Sequence, residues 1–252
     1  MAELKALIFD VDGTLADTER DGHRVAFNKA FSDVGLDWDW TVDTYGKLLA
    51  VTGGKERIRH YIDEFLADFE APGDLTAFIA DLHKRKTAHY LAMLQAGQIP
   101  LRPGVERLLA EAREAGVTLA IATTTTPENV TYLLQSTLGP DSVDWFACIG
   151  AGDVVPKKKP AADIYFYVME QLGLAPTECV AFEDSHNGIR ATNDAALRTI
   201  VTVNGYTRHE EFGGAALVLS DFGEPERPFE VIAGDPGDRH CVDLELVRRV
   251  LG

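Results

Sequence analysis

The stretch LKALIFDVDGTLADTE, residues 4–19, decides how the rest of the chain is read. Leu7, Ile8 and Phe9 predict a strand covered on both faces, because the apolar run is continuous rather than alternating. The run breaks off into Asp10, Asp12 and then Asp17, with Gly13 and Thr14 wedged between. Three carboxylates at the mouth of an apolar strand repel one another and lose hydration. Either the turn is solvated, or something positive sits there.

Further apolar runs of strand length follow at 117–122 (VTLAIA), 179–182 (CVAF), 199–203 (TIVTV) and 216–219 (ALVL). Helical patterns lie between them at 104–116, 127–139, 161–173 and 186–196; the first two end in Gly116 and Gly139, and Pro127 opens the second. This alternation predicts an α/β fold with a Rossmann-like, doubly wound parallel sheet. Residues 18–97 break the pattern with helix-like stretches at 18–34, 41–50, 55–69 and 75–96 and no buried-strand run. The expected organisation is a core of residues 1–17 and 98–252 with an α-helical cap inserted at 18–97. The Pro-, Gly- and charge-rich tail, 223–240, predicts irregular structure before a final short helix.

The 252 residues carry a formal net charge of −16, which argues against a nucleic-acid partner. Three scattered cysteines, Cys148, Cys179 and Cys241, without a CxxC pair predict reduced thiols in a cytoplasmic protein. No apolar stretch has membrane-spanning length, and the charged N-terminus does not read as a signal peptide. A monomer acting on a small molecule is expected.

In an open α/β sheet the ligand crevice lies beyond the carboxyl ends of the strands. Asp10 and Asp12 follow the first strand, Thr123 opens a run of hydroxyls after the second, and Glu183 and Asp184 follow CVAF; Lys159 precedes Pro160 at the start of a helical pattern. Acids of this kind, with no His or Cys among them, suit Mg²⁺. A cation there makes the clustered carboxylates tolerable. Beside it, a strand-tip carboxylate is a competent nucleophile toward phosphorus, and a second one two residues on can exchange protons with the leaving alcohol and with water. Thr123 and Lys159 would hold phosphoryl oxygens, and Gly13 would let the backbone turn beneath them.

DVDGT, the threonine after the second strand, KKP and FEDSHNG, in this order, resemble the motifs of the haloacid dehalogenase superfamily over nearly the whole chain. The resemblance implies that Asp10 is the nucleophile, Asp12 the general acid/base, and Thr123 and Lys159 the phosphate holders. It also implies a Mg²⁺ held by Asp10, Asp184 and the carbonyl of Asp12, with Glu183 binding directly or through water. An acid at position 12 separates the chain from the dehalogenase branch, and the DVDGT pattern separates it from the phosphonate-cleaving branch.

TGGKERI (52–58), LHKRKT (82–87), IATTTTPENV (121–130) and YTRHEEF (206–212) resemble the CbbY-type phosphatases. That similarity implies xylulose 1,5-bisphosphate as substrate, in a setting related to the Calvin cycle. The mutases related to β-phosphoglucomutase share the core motifs, so a sugar-phosphate mutase is the alternative, and a non-catalytic sugar-phosphate-binding regulator a more distant one. A second phosphate needs a second anion site. Gly53 and Gly54 before a helix, Lys55 and Arg57 in its first turn, and His83 and Lys86 are the cap candidates. Glu19 and His23 would contact sugar hydroxyls, and Thr124 the substrate beside Thr123. Phe31, Trp38, Trp40 and Tyr45 read as cap packing. The cap is expected to open and close through linkers at 15–18 and 97–102.

Overall fold

Every residue of β1 (Ala6–Phe9) is buried, as its unbroken apolar run demands. In the structure, a computed structural model describing residues 3–51, 53–66 and 69–252, the chain divides into two compact units. One comprises Met1–Asp17 with Pro100–Gly252, the other Thr18–Ile99.

The first unit is an α/β core. After β1 its elements are α5 (Val105–Glu114), β2 (Thr118–Ala122), α6 (Pro127–Leu138), β3 (Phe146–Gly150) and α7 (Asp163–Leu172). Then come β4 (Cys179–Glu183), α8 (His186–Asp194), β5 (Arg198–Thr202), β6 (Leu217–Leu219), β7 (Val231–Ala233) and α9 (Leu244–Leu251). The sheet order is β3-β2-β1-β4-β5-β6-β7, parallel except for β7, which pairs antiparallel with β6. Chain order reverses between β1 and β4, which places the topological switch point at their carboxyl ends. The register there is tight: Phe9 lies opposite Phe182, their rings stack at 4.6 Å, and Asp10 N–H donates to Phe182 O at 3.0 Å. The other face of β1 packs Ile8 into a layer with Ala120, Ala181, Tyr165 and Val168.

Two strands depart from the sequence reading, and both are sheet edges. β3 was not anticipated, because an edge strand is covered on one side only and its middle residues are not fully buried. β7 lies inside the tail expected to be irregular; its three residues are exposed, and only pairing with β6 makes them a strand. Among the described residues no helix is long and apolar enough to cross a membrane.

The second unit is helical. A π-helical stretch, Thr18–His23, runs into α1 (Arg24–Asp33), followed by α2 (Val42–Leu48), α3 (Gly54–Phe65) and α4 (Leu75–Gln95). The single helix expected at 18–34 is thus two geometries, and the wider i→i+5 turn is a feature enriched at functional sites. The helix expected to reach residue 69 ends at Phe65, and residues 67 and 68 lie outside the described set, as does Thr52. Phe27, Phe31, Trp40 and Tyr45 are fully buried, with Phe27 and Trp40 at 4.6 Å. Asp74 caps α4 by accepting from Ala77 N–H, a contact worth about 1 kcal/mol.

Candidate active site

β1 and β4 end side by side, so the residues that follow them meet. Asp10, Glu183 and Asp184 are all buried, and each offers a carboxylate oxygen within 4.8 Å of the others. Ser185 then caps α8 by accepting from Gly188 N–H, which starts a helix immediately after the acids. Gly188 packs so closely that a Cβ there would lie 1.8 Å from Glu183 Oε2. Gly13, at φ +87°, approaches Asp184 equally closely: a Cβ would lie 2.1 Å from its Oδ2. Both the left-handed backbone and the close approach require glycine at position 13.

Lys159 enters this cluster from the loop before α7, through a cis peptide to Pro160. Its ammonium donates to Asp10 Oδ1 at 2.6 Å and to Ala122 O at 2.8 Å, and pairs with Glu183 Oε1 at 2.6 Å. The Tyr165 hydroxyl donates to the same Glu183 Oε1. Asn204 Nδ2 donates to Asp184 Oδ2 at 2.7 Å, while its own Oδ1 accepts from Tyr206 and Thr207 N–H. Thr123 is buried at the end of β2, and its Oγ1 accepts from Thr125 N–H at 3.3 Å. Thr124 points to solvent, and Asp12 is half-buried in the turn after β1.

Burial raises the Glu183 pKa to about 7; Lys159 opposes the rise and Asp10 adds to it. Asp184 is pushed well above the usual carboxylate range, by burial first and then by Asp10 and Glu183, with Arg102 and Lys159 pulling back. Burial acts to lower the Lys159 pKa, but Asp10 and Glu183 outweigh it and hold the ammonium charged. With all three acids ionised the cluster would carry more negative charge than one lysine can balance, which adds to burial in raising the Glu183 and Asp184 pKa values. An all-oxygen donor set in that condition fits a hard divalent cation such as Mg²⁺.

This has a measurable consequence. Glu183 has a folded pKa above its ordinary 4.5, so the folded state binds the proton more tightly than the unfolded chain. Its effect on stability is absent at low pH and becomes unfavourable as pH rises from about 4.5 through 7. The chelator-treated protein is expected to lose melting temperature across that window, and Mg²⁺ to restore more at pH 7.5 than at pH 5.5. Glu183→Gln should flatten the slope. An identical slope in that variant would show that this carboxyl is not its source.

Reading the sequence alone did not single out Tyr165, Asn204 or Arg102. Arg102, fully inside the core unit, donates to the carbonyls of Gly13, Thr202, Val203 and Ser220 and lies 3.5 Å from Asp17. Tyr165 sits on the apolar face of α7, where a hydroxyl has no signature in hydrophobic periodicity. A cavity of about 660 Å³ also opens at the amino ends of the strands, lined by Leu4, Lys5, Val117 and Arg248 among others, and contains none of the catalytic candidates.

The helical unit gathers a second polar cluster. Tyr45 OH donates to Glu19 Oε2 at 2.5 Å and accepts from Arg57 Nη1 at 2.8 Å. Arg57 is buried and also donates to Leu48 O. Lys86, buried against the Phe27 and Tyr90 rings, bonds His23 Nδ1 at 2.8 Å. Burial, then Lys86 and Arg57, hold the His23 pKa well below its ordinary value, so its ring is neutral and accepts from the ammonium. His83 is lowered in the same way by burial and Lys86, and its ring lies against Gly54, where a Cβ would approach to 2.6 Å. Tyr45 thus does more than pack. Gly53 and Lys55 are exposed, and Lys55 lines a separate groove with Arg59, His60 and Thr76.

The family model described as haloacid dehalogenase-like hydrolase matches residues 4–195. The chain belongs to the haloacid dehalogenase-like hydrolases, and it is an enzyme, a phosphatase of that family. Within the family it is 50% identical to a CbbY protein of Cupriavidus necator over 247 residues, 97% of this chain and 96% of that one. Its fold matches the crystal structure of CbbY from Rhodobacter sphaeroides in complex with phosphate, with a TM-score of 0.73 and 46% identity over 86% of this chain and 94% of that one. A D10N mutant of that protein in complex with xylulose 1,5-bisphosphate matches with the same TM-score, at 45% identity over the same shares of the two chains.

Proposed function

We propose that the protein removes one phosphate from a small sugar bisphosphate, with xylulose 1,5-bisphosphate favoured, through an aspartyl-phosphate. The observation that carries the reading is the convergence of Asp10, Glu183 and Asp184 with Lys159 at the β1/β4 switch point. Similarity to proteins named CbbY, one of them solved with xylulose 1,5-bisphosphate, supports the substrate.

The Asp10 carboxylate attacks phosphorus, and the bond from phosphorus to the sugar oxygen breaks as Asp12 protonates that oxygen. Asp12, now a carboxylate, takes a proton from water, whose oxygen attacks the acyl phosphate and releases inorganic phosphate and free Asp10. Lys159 and Thr123 donate to the phosphoryl oxygens; the Thr123 hydroxyl accepts one bond and keeps its own proton to give. Mg²⁺ held by Asp10, Glu183, Asp184 and the Asp12 carbonyl would offset charge on those oxygens.

For the second phosphate, Arg57 and Lys86 supply charge and Gly54 a close backbone approach, while Glu19 and His23 suit sugar hydroxyls. Lys86→Met should raise KM for the bisphosphate about tenfold, the loss of one charge-assisted contact, and leave KM for a sugar monophosphate unchanged. Equal effects on both substrates would remove Lys86 from the distal site.

The test of the whole reading is phosphate release from a panel of C4 to C6 sugar mono- and bisphosphates, with and without a chelator. Chelator-sensitive release from pentulose bisphosphate is expected. Conversion of a monophosphate to its isomer without net phosphate release would instead identify a mutase.

A further inference from the structure

Lys159 has three N–H bonds and three acceptors already around it: Asp10 Oδ1, Glu183 Oε1 and Ala122 O. An ammonium so engaged has no further N–H for a phosphoryl oxygen, so one bond must be exchanged when phosphate binds. Ala122 O is fixed in the backbone of β2, and Asp10 carries the attacking oxygen in the function proposed above. Glu183 is the partner left to release. It is buried, and even where the cation proposed above shares its charge, its Oε1 is left without a donor when the ammonium moves unless another donor stays in place.

Tyr165 supplies that donor. Its side chain is fully buried in the layer with Ile8, Ala181 and Val168, and its hydroxyl reaches the same Oε1 that Lys159 engages. The ring also lies 5.2 Å from the ammonium, so a cation shifting position stays beside a favourable π-face. Phenylalanine would fill the volume equally well. The hydroxyl is the part that packing does not require.

We infer that Tyr165 is a positioning residue whose hydroxyl holds Glu183 Oε1 while Lys159 passes from that oxygen to a phosphoryl oxygen of the substrate. This rests on the phosphate-holding role proposed for Lys159. Without the hydroxyl, Glu183 depends more heavily on Lys159 and retains it against the incoming phosphate.

The test is calorimetric titration of inorganic phosphate, in excess Mg²⁺, into the full chain as wild type, Tyr165→Phe, Lys159→Gln and the double variant. Tyr165→Phe should weaken phosphate binding roughly tenfold, a typical loss for a hydrogen-bond partner one shell from the ligand. Its melting temperature should stay within a few degrees of wild type, and the double variant should bind no more weakly than Lys159→Gln alone. Fluorotyrosine at position 165, a stronger donor of nearly the same shape, should tighten phosphate binding, and it serves equally if the phenylalanine variant folds poorly. Unchanged affinity in Tyr165→Phe overturns the inference, as does an undiminished loss in the Lys159→Gln background. If Lys159→Gln weakens phosphate and Tyr165→Phe does not, the inference alone fails. If Lys159→Gln leaves phosphate affinity intact, the lysine's proposed role fails with it.

Discussion

Asp10→Asn is expected to lower kcat for the sugar bisphosphate by at least about 10⁴, more than 5 kcal/mol of transition-state stabilisation. The neutral amide is a poor nucleophile toward phosphorus, so the covalent step is lost rather than slowed by misplacement. The fold has little reason to suffer. The substitution removes one of three clustered negative charges, and Lys159 keeps Glu183 and Ala122 O as partners. The measurement is single-turnover phosphate release with saturating Mg²⁺, beside a melting curve and a direct substrate-binding titration. Lost turnover with retained binding and an intact melt is the expected pattern. Turnover within tenfold of wild type would remove Asp10 from the nucleophile's role.

Arg102→Met should have the largest effect on stability, a loss of about 4 kcal/mol, since breaking a buried charged network from one side leaves its acceptors uncompensated. The guanidinium ties the turn after β1, through Gly13 O, to the ends of β5 and β6 through Thr202, Val203 and Ser220. Methionine fills much of the volume and donates nothing. For a chain of this size the melting temperature should fall by roughly 10 °C. Arg102→Lys should recover only part of the loss, because a single ammonium cannot span acceptors on three chain segments. The guanidinium also restrains the rise in the Asp184 pKa, so the methionine variant should need more Mg²⁺ to reach half-maximal stabilisation. A melting temperature within 2–3 °C of wild type would contradict this account.

How much was legible in the sequence follows from burial. The strands at the middle of the sheet, β1, β2, β4 and β5, are covered on both faces and show continuous apolar runs. The two edges, β3 and β7, are covered on one side or left exposed, so their residues carry no such pattern. In the candidate site, Asp10, Glu183, Asp184 and Lys159 could be named before the structure because each directly follows or precedes an element with a strong local signal. The structure then gathers these four. Lys55 and Thr124 are both exposed.

From sequence alone came the alternation of strand and helix, the insertion of helices after the first strand, and the order of acidic and basic residues at strand ends. Those are local properties, set by which side chains must leave water. Tertiary structure decided which groups hold the acids in place. Tyr165 reaches Glu183 across 18 residues of chain, Asn204 reaches Asp184 across 20, and Arg102 finds partners 89 to 118 residues away. Contacts of that kind depend on the packing of whole elements, and no periodicity along the chain encodes them.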